Sequence, residues 1–117
     1  MAAATVPDRL EHILRSIDTV LGYWKGKKKA DFVADELRRA ATERHLEIIS
    51  EASRHIPSAD KTDHPQIPWK DIASVGNILR HRYDTVSGDR IWEIVSLDLR
   101  ALRPVIKKIM AKHRARK

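Results

Sequence analysis

The feature that most limits the fold is a helical repeat of apolar residues running from one end of the chain to the other. Leu10, Ile13, Leu14, Ile17, Val20 and Leu21 follow at steps of three and four over residues 8–22. That spacing gathers them on one face of an α-helix. Ile91, Val95, Leu99, Leu102, Ile106 and Ile109 do the same in the last third of the chain. Between them, Val33, Leu37, Ala41, Ile48 and Ala52 predict a long second helix over about 30–55. Trp69, Ile72, Ala73 and Gly76 predict the core face of a third helix over about 68–82. No stretch alternates with period two, and there is no internal repeat. The pattern predicts an all-α antiparallel bundle of four to five helices with short connections.

Local punctuation sharpens the boundaries. Pro7 and Asp8 suit a helix start, because proline lacks only a donor that would be unpaired there. Gly22 to Lys29 reads as the helix end and a loop. Pro57, Pro65 and Pro68 mark residues 56–68 as the main irregular segment, with room for one short helical turn. Pro68 then opens the third helix. Gly76 inside that helix costs ~1 kcal/mol relative to Ala, which points to a close backbone crossing. Residues 84–88 predict a turn, with Asp89 capping the last helix. Pro104 removes an amide donor and crowds the preceding turn, so a kink or short break is expected between about 98 and 104.

A chain of 117 residues suits one domain spanning 1–117. Cysteine is absent, which excludes disulfides, thiolate metal sites and cysteine nucleophiles and fits a cytoplasmic chain. Apolar runs fall far short of the roughly 20 residues that span a bilayer, and the N-terminus lacks the form of a secretory signal. The formal charge of +7 is local. Lys25, Lys27, Lys28 and Lys29 contribute +4, and a basic tail from about residue 107 contributes +6. Those two segments carry +10, so the rest of the chain is at −3. Such patches either attract polyanions or form a solvated helix end and a solubility tail.

Several residues remain ambiguous on sequence alone. Arg44, Glu51 and His55 fall on or beside the apolar stripe of the second helix. They form an internal ion pair, lie exposed near the helix end, or make a polar line facing an active cleft. His12, His45, His55, His64 and His113 lack ligand spacing and an obvious carboxylate partner, so no metal site is expected. Nor is a cofactor, for there is no glycine-rich phosphate loop. Trp24, Trp69 and Trp92 are expected to pack, with base stacking a second role open to Trp24.

The segment that carries chemistry is 69–95. Within it Asn77, Arg80 and His81 stand at i, i+3 and i+4, on one helix face. Histidine exchanges a proton near neutral pH. Arginine holds two phosphate oxygens and offsets developing negative charge. An amide at Asn77 can orient the imidazole or the substrate. The same run is also compatible with a plain solvated face.

Ile67-Pro68-Trp69, then Asn77-Ile-Leu-Arg-His81-Arg-Tyr83, then Ile91-Trp92-Glu-Ile-Val resembles the HepT-like toxins of the HEPN superfamily. Glu47-Ile48-Ile49-Ser50-Glu51-Ala52 is similar to that family's Ile-Gly-Glu-Ala segment, with Ser50 in place of Gly. The similarity covers most of the chain. Asn77, His81 and Tyr83 match the hallmark Arg-Asn-x-x-x-His-x-Tyr, whereas its Arg falls at Gly76. The resemblance implies a small helical RNase, paired with a MntA-like nucleotidyltransferase antitoxin and working as a homodimer with its cleft at the interface. It implies a metal-independent cut in which His81 acts on the ribose 2′-hydroxyl, assisted by Asn77 and Arg80. Arg82, Lys27, Lys28 and Lys29 are then candidate RNA contacts, and Arg44 and Glu51 orienting groups. Tyr83 matches the tyrosine that such antitoxins modify with AMP, and also reads as a residue that closes its helix. Because Gly76 replaces the family Arg, the alternative is a catalytically impaired HEPN module that binds RNA, a nucleotide or the nucleotidyltransferase. A plain basic helical interaction protein leaves the Asn-x-x-x-His-x-Tyr arrangement unexplained.

Overall fold

The computed structural model describes residues 5–82 and 88–115, with the backbone alone for residues 81 and 82. Helix α1 spans Val6–Trp24. It opens on a reciprocal cap: the Asp8 amide donates to Thr5 Oγ1 (3.3 Å), and the Thr5 amide donates to Asp8 Oδ2 (2.9 Å). Gly26, at φ +72°, takes the left-handed turn that a side chain would resist. Helix α2 is short, Lys29–Ala34, and α3 runs Glu36–Ser53. A single turn, α4 (Ser58–Thr62), follows Pro57. Helix α5, Trp69–Arg82, starts directly after Pro68. Its first side chain is pinned by Trp69 Nε1 donating to the His64 carbonyl (3.0 Å). Helices α6 (Gly88–Glu93) and α7 (Leu99–Ala115) are joined by a wider, π-helical segment, Ile94–Asp98. Among the described residues there is no strand.

Helix α1 lies between α3 and α7, while α5 packs chiefly on α3. The all-α bundle expected from the apolar pattern is thus observed. The core joins Leu10, Ile13, Ile17 and Val20 of α1 to Leu46 and Ile49 of α3 and Leu99, Leu102, Ile106 and Ile109 of α7. At one end, Trp24, Phe32 and Trp92 meet with ring centroids 5.0–6.0 Å apart. Trp24 is 4% exposed and therefore packs, which leaves no face for a base. No helix among the described residues is long and apolar enough to cross a membrane.

Four sequence expectations are corrected. The helix expected over 30–55 is two helices, because the Asp35 carboxylate accepts from the Arg38 amide (2.9 Å) and starts a new helix there. The break resets the helical phase. Val33 and Leu37 are 54% and 83% exposed, and the buried side of α3 is Thr42, Leu46, Ile49, Ser50, Ala52 and Ser53, of which only Ala52 is among the expected apolar positions. The irregular turn expected at 98–104 lies earlier, at Ile94–Asp98, and α7 runs through Pro104, whose ring faces solvent. The Ser96 hydroxyl donates to the Trp92 carbonyl (2.7 Å), competing with the backbone for that acceptor, and the Leu99 amide reaches back five residues to Ile94. Asp89 lies within the first turn of α6 and pairs with Lys29. Of the turn expected over 84–88, Gly88 is the first residue of α6, and residues 84–87 lie outside the described residues.

Candidate active site

The local structure of α5 follows from how α3 grips it. Ser50, 1% exposed, donates through Oγ to the Ala73 carbonyl (2.8 Å) and accepts from the Gly76 amide (3.0 Å). One turn further along α3, Arg54 donates to the same Ala73 carbonyl through Nε (3.2 Å) and Nη2 (2.8 Å). A Cβ on residue 76 would lie 2.9 Å from Ser50 Oγ and 3.1 Å from Ser50 Cβ. The close crossing expected at Gly76 is therefore present, and Ser50 is the residue on its other side.

This crossing turns Asn77 and Arg80 to the exposed side of α5. Arg80 borders an open groove of about 410 Å³, together with Arg9 and His12 of α1 and Arg44, Glu47, Ile48, Glu51 and Ala52 of α3. Arg80, Arg44 and Glu51, far apart in sequence, thus share one cleft. Arg44 and Glu51 do not form an internal pair with each other. Arg44 Nη1 lies 3.4 Å from Glu47 Oε2. Glu51 faces Arg54 (3.6 Å) and His55 (3.4 Å). Both groove acids are thereby engaged, and among the described residues no carboxylate lies within ion-pair reach of Arg9 or Arg80. Arg9 Nε is buried without a hydrogen-bond partner among them. The groove accordingly offers uncompensated positive charge to an anion.

His12 and Ile48 also border the adjoining hollow with Arg15, Ser16, Thr19 and His45. His45 Nδ1 is 3.1 Å from Ser16 Oγ. Burial, with a smaller contribution from Arg44, holds the His45 pKa below its ordinary value. Its surroundings therefore favour the neutral imidazole.

Other sites predicted from sequence are placed elsewhere. Lys27, Lys28 and Lys29 lie at the far end of α1. Arg9 and Trp24 are fifteen residues apart, about 22 Å along a helix, so the lysines sit well away from the groove. Lys27 borders a different hollow, beside Asp31, Asp35 and Glu36. His81 and Arg82 are the last two residues of α5, and Tyr83 lies outside the described residues. Two histidines do have carboxylate partners: His55 with Glu51, and His113 with Asp60, whose Oδ2 lies 2.8 Å from Nε2. The sequence gives no sign of the second pair, which joins residues more than fifty positions apart. Arg9 and His12 are equally unsignalled as groove residues, because only the antiparallel packing of α1 on α3 brings them to α5. Among the described residues no cluster of three or more His, Cys, Asp or Glu side chains is placed to hold a metal ion.

Comparison with known proteins adds an independent line. Residues 13–109 match the model of the family described as Ribonuclease HepT-like. The chain is 35% identical over 105 residues to "Putative RNase TTE0752" of Caldanaerobacter subterraneus subsp. tengcongensis, covering 90% of this chain and 94% of that protein. It is 34% identical over 102 residues to "Probable ribonuclease HepT" of Thermococcus cleftensis, covering 87% and 93%. No solved structure gives a significant match. With the family model spanning most of the chain and relatives matched over nearly their full length, this chain belongs to the ribonuclease HepT-like family.

Proposed function

We propose that the chain is a metal-independent endoribonuclease, the toxin of a pair whose antitoxin is a MntA-like nucleotidyltransferase. The observation that carries this reading is the cationic groove beside α5 in a chain of the HepT-like family. Asn77 and Arg80 are exposed on that helix, and His81 is its penultimate residue. The reaction needs a base for the ribose 2′-hydroxyl, an acid for the leaving oxygen and a cation for the crowded phosphate charge. His81 takes the 2′-hydroxyl proton. The 2′-oxygen attacks the adjacent phosphorus, the bond from phosphorus to the 5′-oxygen breaks, and that oxygen receives a proton. The products are a 2′,3′-cyclic phosphate and a 5′-hydroxyl. Asn77 orients the reacting groups, and arginine from the last turns of α5 offsets the charge.

A two-fold dimer supplies a second His81 to the cleft and so the separate acid and base. Arg44 and Glu51 act through the groove wall, setting its charge and shape, and Arg82 and Lys27–Lys29 guide the RNA strand. Tyr83 is the control point. Attack of its hydroxyl on the α-phosphorus of ATP, with release of pyrophosphate, leaves AMP on Tyr83 and brings phosphate charge and bulk beside His81, which repels RNA phosphates.

RNA cleavage by purified protein in EDTA, with Tyr83 shown to be unmodified by mass, tests the reading. His81→Ala is expected to lose 10²- to 10⁴-fold in rate, and the wild-type product is expected to end in a cyclic phosphate. Intact RNA in the wild-type lane would remove the enzyme and leave the binding module.

A further inference from the structure

The groove does not explain why a helix so close to the chemistry carries a glycine in its interior. Glycine there sacrifices about 1 kcal/mol of helix propensity, so something at that position must need the room. Two groups occupy it. One is Ser50, whose hydroxyl bridges the Ala73 carbonyl and the Gly76 amide. The other is the guanidinium of Arg80, whose Nη1 lies over the same spot and would stand in ordinary contact, 3.4 Å, with a Cβ on residue 76, so that Ser50 is the group that needs the room. A helical side chain lies back over the turn before it. Arg80 therefore rests along the bare backbone of the residue four positions earlier and reaches the groove from there.

We infer that Ser50 and Gly76 form a matched seat for Arg80, and that Arg80 is the residue whose cation holds the scissile phosphate. This rests on the ribonuclease reading above. Ser50 sets the height of α3 over α5, and Gly76, having no side chain, lets Ser50 settle there. The guanidinium then rests against the α5 backbone at the wall of the groove that Arg9 and Arg44 also border. Gly76 also stands where the family hallmark has its arginine, so the seat returns a guanidinium to the neighbourhood of that position from one turn further along. Arg82, two residues on, has no counterpart of this seat in the sequence, since its fourth residue back is Ile78. Ser50 and Gly76 are positioning residues and touch no substrate.

The test combines cleavage with binding to an RNA that carries 2′-O-methyl groups and cannot be cut. Arg80→Ala is expected to lower kcat roughly 100-fold with a smaller change in KM, and added guanidinium ion is expected to restore part of that kcat. Arg82→Ala is expected to act on KM. Gly76→Ala is expected to lower kcat while KM holds, because the new methyl meets Ser50 too closely, pushes α5 away from α3 and carries Arg80 with it. Ser50→Gly in the same chain relieves the contact with Ser50 but also removes its bridge to Ala73 and Gly76, so kcat is expected to stay low. With the uncut RNA, Arg80→Ala is expected to reduce the slope of log binding constant against log salt by about one phosphate contact. Normal cleavage by Arg80→Ala, or a folded Arg80→Ala enzyme that guanidinium does not rescue, would overturn the seat while leaving the ribonuclease in place. A wild type that cuts no RNA, but whose salt slope still drops with Arg80→Ala, would remove the ribonuclease and keep Arg80 as the seated phosphate ligand.

Discussion

Helix α3 buries the hydroxyls of Thr42, Ser50 and Ser53, and uses the first two in opposite ways. Thr42 is fully buried. It accepts from Trp24 Nε1 (2.8 Å) and donates to the Arg38 carbonyl of its own helix (2.7 Å). Both of its bonds are satisfied inside an aromatic cap formed by Trp24, Phe32 and Trp92. Ser50 sends both bonds across to the backbone of α5, and the groove beside it is open and charged. The same chemical group thus closes the fold at one end and spaces two helices at the other. What differs is the company. Aromatic surface excludes water and leaves the hydroxyl a purely structural role, whereas solvated arginines leave a polar face free to meet an anion.

The charged end has its own fastening. Asp60 of α4 is 2% exposed, and Lys112 Nζ donates to its Oδ1 (3.0 Å) while His113 Nε2 lies 2.8 Å from its Oδ2. Lys112 also reaches Asp63 (3.2 Å). Burial pushes the Asp60 carboxyl up, but the hydrogen bonds from His113 and Lys112 outweigh it and hold the pKa below the ordinary 3.8. One end of the molecule is therefore held by rings and the other by ions. The two should respond differently to mutation and to pH.

The largest expected effect is at the aromatic end. Trp24→Ala removes the ring shared by Phe32 and Trp92 and leaves Thr42 without its donor. It should cost about 3–5 kcal/mol in urea unfolding, with a penalty nearly the same at pH 5 and pH 8. A loss under about 1 kcal/mol would show that this end is not the keystone of the comparison. Asp60→Asn comes next, at about 2–3 kcal/mol at pH 7. A carboxyl with a lowered pKa stabilises above its ordinary value of 3.8 and loses that contribution as pH falls below it. The gap between variant and wild type should accordingly close towards pH 3. Lys112, whose pKa is raised above 10.5 chiefly by its hydrogen bonds to Asp60 and Asp63, loses its contribution only as pH rises past that value. A gap independent of pH would mean that the cluster acts by packing alone. Thr42→Val is the smallest of the three, at about 1–2 kcal/mol. It keeps the shape and strands the Trp24 donor, and calorimetry should register a modest fall in Tm.

The long, strongly periodic segments were legible in sequence, since every residue of the last apolar stripe from Ile91 to Ile109 is buried. Apolar spacing alone carries the second helix through Asp35, where the structure breaks it. An acidic residue capping a new helix is a local signal, and it was available there. The candidate site divides in the same manner. Asn77, Arg80 and His81 were legible as a run on one helix, and Gly76 as a crossing. Ser50 was visible only as a departure from a family segment, and Arg9, His12 and the Asp60 cluster gave no signal of their own.

The sequence by itself determined the helical class, the face of α5 on which Asn77 and Arg80 lie and the family to which the chain belongs. Those properties depend on periodicity and residue type within a single helix, where each neighbour is three or four positions away. Tertiary structure alone decided that Ser50 sits over Gly76, that Arg80 shares a groove with Arg44, Glu51, Arg9 and His12, and that Asp60 meets Lys112 and His113. Such meetings depend on the phase and crossing of helices distant in sequence. A single capped break, as at Asp35, resets that phase for everything after it.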